Sequence, residues 1–181
     1  YWDGDRRINY GGYKYIPGRW EKVAQRMIEF YKLKPNSKIL DVGCGKGFLL
    51  SDFKKLLPKC EVYGLDISEY AIDKANIDIK KSLITGCASD LPWADNSFDL
   101  VISINTLHNL YCFDLEKALN EIERVGKDNK YICVESYRNE EEKTNLLYWQ
   151  VTCEAFNNPK EWLWWFNYSK YTGDYSFIYF N

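Results

Sequence analysis

The sequence predicts an α/β fold in which a doubly wound, mostly parallel sheet carries helices on both of its faces. The first observation is an alternation, between residues 19 and 136, of short β-prone apolar runs with segments whose apolar residues recur every three or four positions. Such an alternation is typical of βαβ units, whose buried parallel strands are covered by helices. The second observation is a glycine-rich turn directly after the first predicted strand. Ligands of such folds bind beside the carboxyl ends of the strands, so this turn marks a candidate site.

The predicted elements follow one another without an internal repeat. An irregular arm that mixes aromatic residues with glycine precedes the first helix, which begins at Arg19 and ends before Pro35. Strands are predicted over residues 37–42, 60–66, 82–88, 98–105 and 130–136. Helices are predicted between them over residues 47–57, 68–79 and 114–125. Ser68 is in place to cap the second of these three helices.

The alternation stops after Ser136. Two helices are predicted over residues 139–156 and 159–166, and Pro159 suits the first turn of the latter. Gly173-Asp174 then lies between two aromatic, β-prone segments. This pattern predicts a hairpin, which would place antiparallel strands at the edge of the sheet.

The composition fits one globular domain and argues against several functional classes. The chain has 181 residues, of which 46% are hydrophobic and 17% aromatic, enough for one full core. Its formal net charge is −2 and its basic residues are scattered, so we do not expect a nucleic-acid partner. No apolar run approaches the roughly 20 residues that span a bilayer, and no signal-peptide pattern opens the sequence. We therefore expect a cytoplasmic protein that does not enter a membrane.

The cysteines and the single histidine do not suggest a metal site. Six cysteines are widely spaced and form no C-x-x-C pair, which favours reduced intracellular thiols. Zinc sites usually need clustered Cys and His ligands, and His108 is the only histidine of the chain. We expect no bound metal.

The glycine-rich turn reads LDVGCGKG and places Gly43, Gly45 and Gly47 at alternate positions. Glycine accepts positive φ and has no Cβ, so the backbone of such a loop can approach a ligand closely. Asp66 ends the second predicted strand, 19 positions after Gly47, where an acid can accept hydrogen bonds from ribose hydroxyls. We infer that the loop binds a nucleoside.

The spacing of the glycines separates two kinds of nucleoside. The loop reads G-x-G-x-G, whereas the dinucleotide fingerprint G-x-G-x-x-G would need a third glycine at the position of Phe48. Asp41, inside the strand end, would lie badly beside a pyrophosphate but suits a ligand with an ammonium group. A cationic nucleoside is favoured, and a nicotinamide dinucleotide is the alternative.

Taken in order, the motifs resemble those of the class I S-adenosylmethionine-dependent methyltransferases. The resemblance spans residues 38–136 and is carried by the segments LDVGCGKG, VYGLDIS, GCASDLPWADNSFDLVIS and LEKALNEIERV. It implies a Rossmann-like sheet of about seven strands with the last strand antiparallel. It also implies S-adenosyl-L-methionine as cofactor and S-adenosyl-L-homocysteine as product.

The resemblance further implies which residues bind the cofactor. The glycine loop would lie under its methionine and ribose, and Asp66 would bind the ribose hydroxyls. The family commonly has Asp at the position of Cys87, where it receives the adenine amino group, so here the adenine would be held by the backbone and neighbouring side chains. The implied cofactor-binding residues are Asp41, Gly43, Cys44, Gly45, Gly47, Asp66, Ile67, Cys87, Ala88, Leu91 and Asn105.

The substrate side carries weaker signals. Methyl transfer from a sulfonium needs alignment and exclusion of water, and needs a base only when the acceptor arrives protonated. His108, after the fourth strand, is the candidate catalytic base because its ordinary pKa lies near neutrality; the alternative is a histidine hydrogen-bonded at the rim of the cleft. The substrate-side candidates are Tyr10, Tyr13, Tyr15, Glu135, Tyr137 and Trp149, with packing or surface roles as the alternatives.

These observations favour a methyltransferase that acts on a small-molecule acceptor. By this interpretation the chain is one methyltransferase domain, with an N-terminal arm over residues 1–18, a cofactor-binding core over residues 19–136, and substrate-side helices with a C-terminal hairpin over residues 137–181. Two alternatives stay open: an NAD-dependent oxidoreductase, and a non-catalytic module that keeps the cofactor fold as a scaffold.

Overall fold

The computed structural model describes residues 2–5, 7, 13–150 and 152–181 of the chain. Within these residues the strands form one sheet in the order β3-β2-β1-β4-β5-β6. Its strands are β1 (Lys38–Val42), β2 (Glu61–Asp66), β3 (Leu83–Thr85), β4 (Phe98–Ile104), β5 (Gly126–Glu135) and β6 (Asp174–Ile178). The helices are α1 (Glu21–Phe30), α2 (Phe48–Leu56), α3 (Glu69–Asp73), α4 (Cys112–Val125), α5 (Glu140–Trp149) and α6 (Pro159–Tyr168). This is the doubly wound α/β fold that the sequence predicts.

Helices cover both faces of the sheet because the strand side chains alternate between two apolar layers. On one face, Leu40 and Val101 pack with apolar residues of α4 and α6. On the other face, Ile39, Leu100 and Ile102 pack with apolar residues of α1 and α2. Both layers are buried, so the central strands β1 and β4 are fixed from both sides.

The sheet has a topological switch point at its centre. The chain moves outward from β1 to β2 and β3, and then returns to the other side of β1 to form β4. Connections therefore leave the carboxyl ends of β1 and β4 in opposite directions, which opens a crevice between them. The glycine-rich loop follows β1 at this crevice.

The antiparallel edge expected for the sheet is wrong. The described residues contain six strands, close to the expected count of about seven, but the last strand, β6, pairs parallel to β5. The predicted hairpin does not form. Helices α5 and α6 connect β5 to β6, so that the chain enters β6 at the same end of the sheet as β5 and runs parallel to it. Gly173 serves a close approach and not a turn: a Cβ there would lie 2.5 Å from the carbonyl oxygen of Lys130.

Two predicted helices are shorter than expected. Ser68 caps α3 as predicted, with its hydroxyl accepting from the Ala71 amide at 3.2 Å, but the helix ends at Asp73. The helix expected over residues 139–156 ends at Trp149. Among the helices of the described residues, none combines the length and the apolar character needed to cross a membrane.

Candidate functional site

Four polar residues that the sequence singles out follow one another along the carboxyl edge of the sheet. Asp66 ends β2, Asp41 lies in β1, Asn105 follows β4 and Glu135 ends β5. The strands are neighbours in this order, since Asp41 is in register with both Gly64 of β2 and Ile102 of β4. The fold thus brings the predicted acids to one edge.

The glycine loop has the backbone conformation that its sequence requires. Gly43, Gly45 and Gly47 all have positive φ, of 82°, 54° and 71°. A Cβ at Gly43 would overlap the side chain of Thr106, and a Cβ at Gly45 would lie 3.0 Å from the ring of Trp2. The space beside these glycines is therefore used by side chains of the protein itself.

Asp66 fastens the glycine loop to the end of β2. One carboxylate oxygen accepts the amide hydrogen of Gly45 at 2.7 Å, and the other accepts that of Ser68 at 2.9 Å. Burial raises the pKa of Asp66, while the two amide donors oppose that shift. Each carboxylate oxygen can accept more than one hydrogen bond, so further hydroxyl donors can still be bound.

Asp41 is a buried acid that accepts no hydrogen bond from the part of the chain that the structure describes. It is 5% exposed, and no described residue donates a hydrogen bond to its carboxylate. Burial, together with the nearby charge of Asp66, raises the pKa of Asp41 to about 7. A cation placed beside these two carboxylates would remove most of this penalty.

The residues expected around an adenine differ in exposure. Ile67 is 74% exposed directly after β2, whereas Ala88 and Leu91 are buried in the apolar layer with α4. Cys87 is half-buried, and its Sγ lies 3.0 Å from the hydroxyl of Ser89. Asn105 is exposed in a left-handed conformation, with φ of 55°, and its amide donates to the Cys133 carbonyl.

Cys44 lies within the glycine loop but has no nucleophilic character. The thiol is buried, and burial raises its pKa well above the ordinary value, with the charges of Asp41 and Asp66 acting in the same direction. The thiolate is therefore strongly disfavoured at this position.

His108 and Glu135 form a buried pair beyond the crevice. His108 Nε2 lies 3.6 Å from a carboxylate oxygen of Glu135, and His108 Nδ1 is buried without a hydrogen-bond partner among the described residues. Burial lowers the pKa of His108 to about 4 and raises the pKa of Glu135 to about 7. Burial thus disfavours the charged form of both groups.

The segment after α5 closes over this pair. Amides of Glu154 and Ala155 donate to the His108 carbonyl, each at 2.9 Å, and the Gln150 side chain donates to the Glu135 carboxyl. The indole of Trp162 donates to the Glu135 carbonyl at 3.0 Å. Sequence reasoning missed Gln150 because no motif marks it and a helix was expected at its position.

Described residues of the N-terminal arm lie near the glycine loop. Tyr13 stacks on Phe48, the first residue of α2, with ring centroids 5.1 Å apart. Burial raises the pKa of Tyr13, and the charges of Asp41 and Asp66 raise it further. Tyr15 instead bonds to Asp52 of α2. Tyr10 lies outside the described residues.

Two substrate-side candidates have partners away from the acids. The ring of Tyr137 lies under the Lys143 amine, 5.2 Å from the ring centroid. Trp149 packs against Phe180 at 5.6 Å and lines a separate cavity of about 370 Å³ with Asn145 and Tyr148. Trp149 therefore contacts Phe180 and neighbouring residues of α5, and not the acids of the glycine loop.

Comparison with known proteins gives one family. A family model described as "Methyltransferase domain" matches residues 33–170, more than half of the chain. The demethylmenaquinone methyltransferase of Symbiobacterium thermophilum is 36% identical over 128 residues, covering 66% of this chain and 50% of that protein. A tRNA (carboxymethyluridine(34)-5-O)-methyltransferase of Arabidopsis thaliana is 35% identical over 130 residues, covering 71% of this chain and 30% of that protein.

Solved structures agree on the fold. The YcgJ protein of Bacillus subtilis superposes with a TM-score of 0.66 at 22% identity, covering 82% of this chain and 67% of that one. At this identity the likeness concerns the fold alone. The chain spans about half the length, or less, of the curated relatives that it matches.

Proposed function

The chain belongs to the class I S-adenosylmethionine-dependent methyltransferases, and from this membership we propose that it transfers a methyl group from S-adenosyl-L-methionine to a small-molecule acceptor. When bound, the cofactor supplies an activated methyl group on a positively charged sulfur. The residues of the chain would bind it, exclude water from it and position the acceptor.

The observation that carries this proposal is the pair of acids at the glycine loop. Asp41 is buried beside Asp66 and lacks a hydrogen-bond donor from the described residues, so its carboxylate favours a cationic ligand. Asp66 retains acceptor capacity for ribose hydroxyls. The residues present thus fit a nucleoside that carries both a sulfonium and an ammonium group.

The same charges argue against the nicotinamide alternative. A pyrophosphate beside Asp41 and Asp66 would add negative charge to two buried carboxylates and raise the cost of ionising them. Together with the family match, this disfavours an NAD-dependent oxidoreductase.

On the acceptor side, we assign the proton-accepting role to Glu135 and a positioning role to His108. His108 was the candidate base, but its burial leaves a neutral imidazole whose pKa is too low to compete for a proton near neutrality. Glu135 has its pKa raised to about 7, in the range where a general base works best. An acceptor that arrives with an O–H or N–H proton would lose it to a Glu135 carboxylate oxygen.

The acceptor is proposed to be small for two reasons. Both members of the pair are almost fully buried, at 1% and 3% exposure of their side chains, which leaves little room for a bulky acceptor beside them. The net charge of −2 gives no general attraction for a polyanion such as tRNA. Relatives named for tRNA and sterol substrates keep the acceptor class a proposal for this chain.

The test is release of S-adenosyl-L-homocysteine in the presence of a panel of small O–H and N–H acceptors, measured from pH 5 to pH 9. Turnover should rise with pH through about 7, because Glu135 must lose its proton before it can accept another. The variant E135Q should lower turnover by about 10²- to 10⁴-fold and remove this pH-dependent rise. The matched control E141Q changes an exposed glutamate of α5 and should leave turnover unchanged.

Retention of turnover and of the pH profile in E135Q would refute the role of Glu135. Binding of the nucleoside without turnover of any acceptor would favour the scaffold interpretation.

A further inference from the structure

Trp2 lies directly on the loop that the cofactor is proposed to use. Its ring is 3.0 Å from where a Cβ on Gly45 would lie, so the ring fills the space that a side chain at this position would take. Its indole N–H donates to the Ser68 hydroxyl at 2.9 Å, two residues beyond Asp66. Trp2 therefore covers the surface between the first glycines and the acid proposed to bind the ribose.

Asp3 holds this arrangement in place. Its carboxylate accepts from the Lys46 amine at 2.9 and 3.1 Å and from the Tyr70 hydroxyl at 2.7 Å. These contacts lower the pKa of Asp3, with the Tyr70 bond as the first cause and the Lys46 bond as the second. Asp3 thus joins the arm to the glycine loop on one side and to α3 on the other.

Lys46 links the glycine loop to the arm residues Asp3 and Tyr13. It is a buried cation inside the glycine loop, at 5% exposure, and its amine also donates to the Tyr13 carbonyl at 3.0 Å. A buried amine without an acid would be costly, so Asp3 supplies the charge that Lys46 requires. Lys46 therefore ties two described residues of the arm, Asp3 and Tyr13, to the glycine loop.

A ligand against Gly45 would need the space that the Trp2 ring fills, since two groups cannot occupy one face of the loop. We infer that Trp2 and Asp3 gate the proposed cofactor site: the nucleoside enters only after the contacts of Asp3 with Lys46 and Tyr70 break and Trp2 leaves Gly45. This inference rests on the proposed function. Because only the open population admits ligand, the closed arm lowers the observed association rate.

The test is the association rate of S-adenosyl-L-homocysteine, measured by stopped-flow fluorescence for the unmodified chain and for D3A and Y70F. Both variants should associate faster, by about 5- to 30-fold, the factor that corresponds to the loss of one or two contacts of this kind. Y70F removes a hydrogen bond without changing a charge, so a faster rate there cannot be an effect of net charge. The matched control is D5A, because Asp5 is in the same arm and, among the residues that the structure describes, its carboxylate bonds only to Arg7.

A second readout needs no nucleoside. The Tyr13 amide donates to the Trp2 carbonyl at 3.1 Å, so hydrogen exchange at Tyr13 reports the closed arm. Exchange at Tyr13 should be faster in D3A than in the unmodified chain or D5A.

Equal association rates and equal exchange in D3A, D5A and the unmodified chain would overturn the gate and leave the proposed function intact. If no variant bound the nucleoside, the proposed function would fail and the gate would fail with it.

Discussion

At the scale of single residues, the candidate site contains acids whose pKa is raised by burial. Asp41 is the clearest case, because its pKa is raised from 3.8 to about 7 by burial and by the charge of Asp66. A folded-state pKa above the unfolded value means that the folded protein binds the extra proton. The resulting stability is fully present below the unfolded pKa and is lost as the pH rises through about 7.

This leads to a prediction for the variant D41N, which cannot ionise. At pH 8 its free energy of unfolding should exceed that of the unmodified chain by up to about 4 kcal/mol, the value of the full shift at 1.36 kcal/mol per pKa unit. At pH 5 the two chains should differ much less. Urea denaturation at the two pH values measures this, and equal stability at pH 8 would show that Asp41 ionises there without penalty.

For His108 and Glu135, burial is the reason that our proposal differs from the expectation drawn from the sequence. The sequence favours histidine as the base because only its ordinary pKa lies near neutrality. In the fold, burial disfavours the charged form of each side chain. It therefore lowers the pKa of His108 and raises the pKa of Glu135. Sequence alone contains the two residues but not their 3.6 Å separation.

At the scale of elements, the glycine loop was the best-predicted part of the candidate site. The positive φ values of its three glycines agree with the prediction. The absence of Cβ atoms was expected to make room for a ligand, but the structure shows side chains of the protein in that space. The space beside Gly43 belongs to Thr106 and the space beside Gly45 belongs to Trp2. The loop is therefore a junction between β1, the residues after β4 and the N-terminal arm.

A pair of substitutions separates backbone strain from steric overlap in this element. Gly18 and Gly43 have nearly the same φ, 78° and 82°, but only Gly43 faces a packed side chain. G18A should lower the free energy of unfolding by about 1 kcal/mol through strain alone. G43A should cost about 2–4 kcal/mol, because overlap with Thr106 adds about 1–3 kcal/mol to the strain. Thermal or urea unfolding gives both values, and equal costs would show that Thr106 moves aside freely.

The edge strand β6 shows the limit of local turn signals. Gly173-Asp174 between aromatic segments is a hairpin pattern, and nothing nearby in the sequence contradicts it. The outcome is decided by α5 and α6, which occupy the connection and bring β6 back parallel to β5. Here long-range packing overrides a local preference.

At the scale of the whole molecule, the sequence predicts what depends on repeated short-range pattern. The five βα-type strands from β1 to β5, their helices and the position of the acids at one edge follow from periodicity and from the glycine spacing. The closure of the site could not be predicted, because it depends on pairs remote in sequence. Trp2 meets Ser68 and Gly45, and Gln150 meets Glu135, without a motif at either end.

The carboxyl edge combines two buried acids, Asp41 and Asp66, with arm residues that lie on the glycine loop. In our proposals the two groups act on the same ligand in opposite senses. Asp41 and Asp66 bind a cationic nucleoside, while Trp2 and Asp3 delay its entry.

The central claim is that Asp41 and Asp66 form the site of a cationic nucleoside, and isothermal titration tests it most directly. The chain should bind S-adenosyl-L-methionine and S-adenosyl-L-homocysteine and should not bind NAD. D66N, which keeps an acceptor oxygen for only one of the Gly45 and Ser68 amides, should weaken binding of both sulfur nucleosides by about 1–3 kcal/mol, because a carboxylate oxygen that can accept from ribose hydroxyls is lost. Unchanged affinity in D66N, or binding of NAD in place of the sulfur nucleosides, would contradict the account.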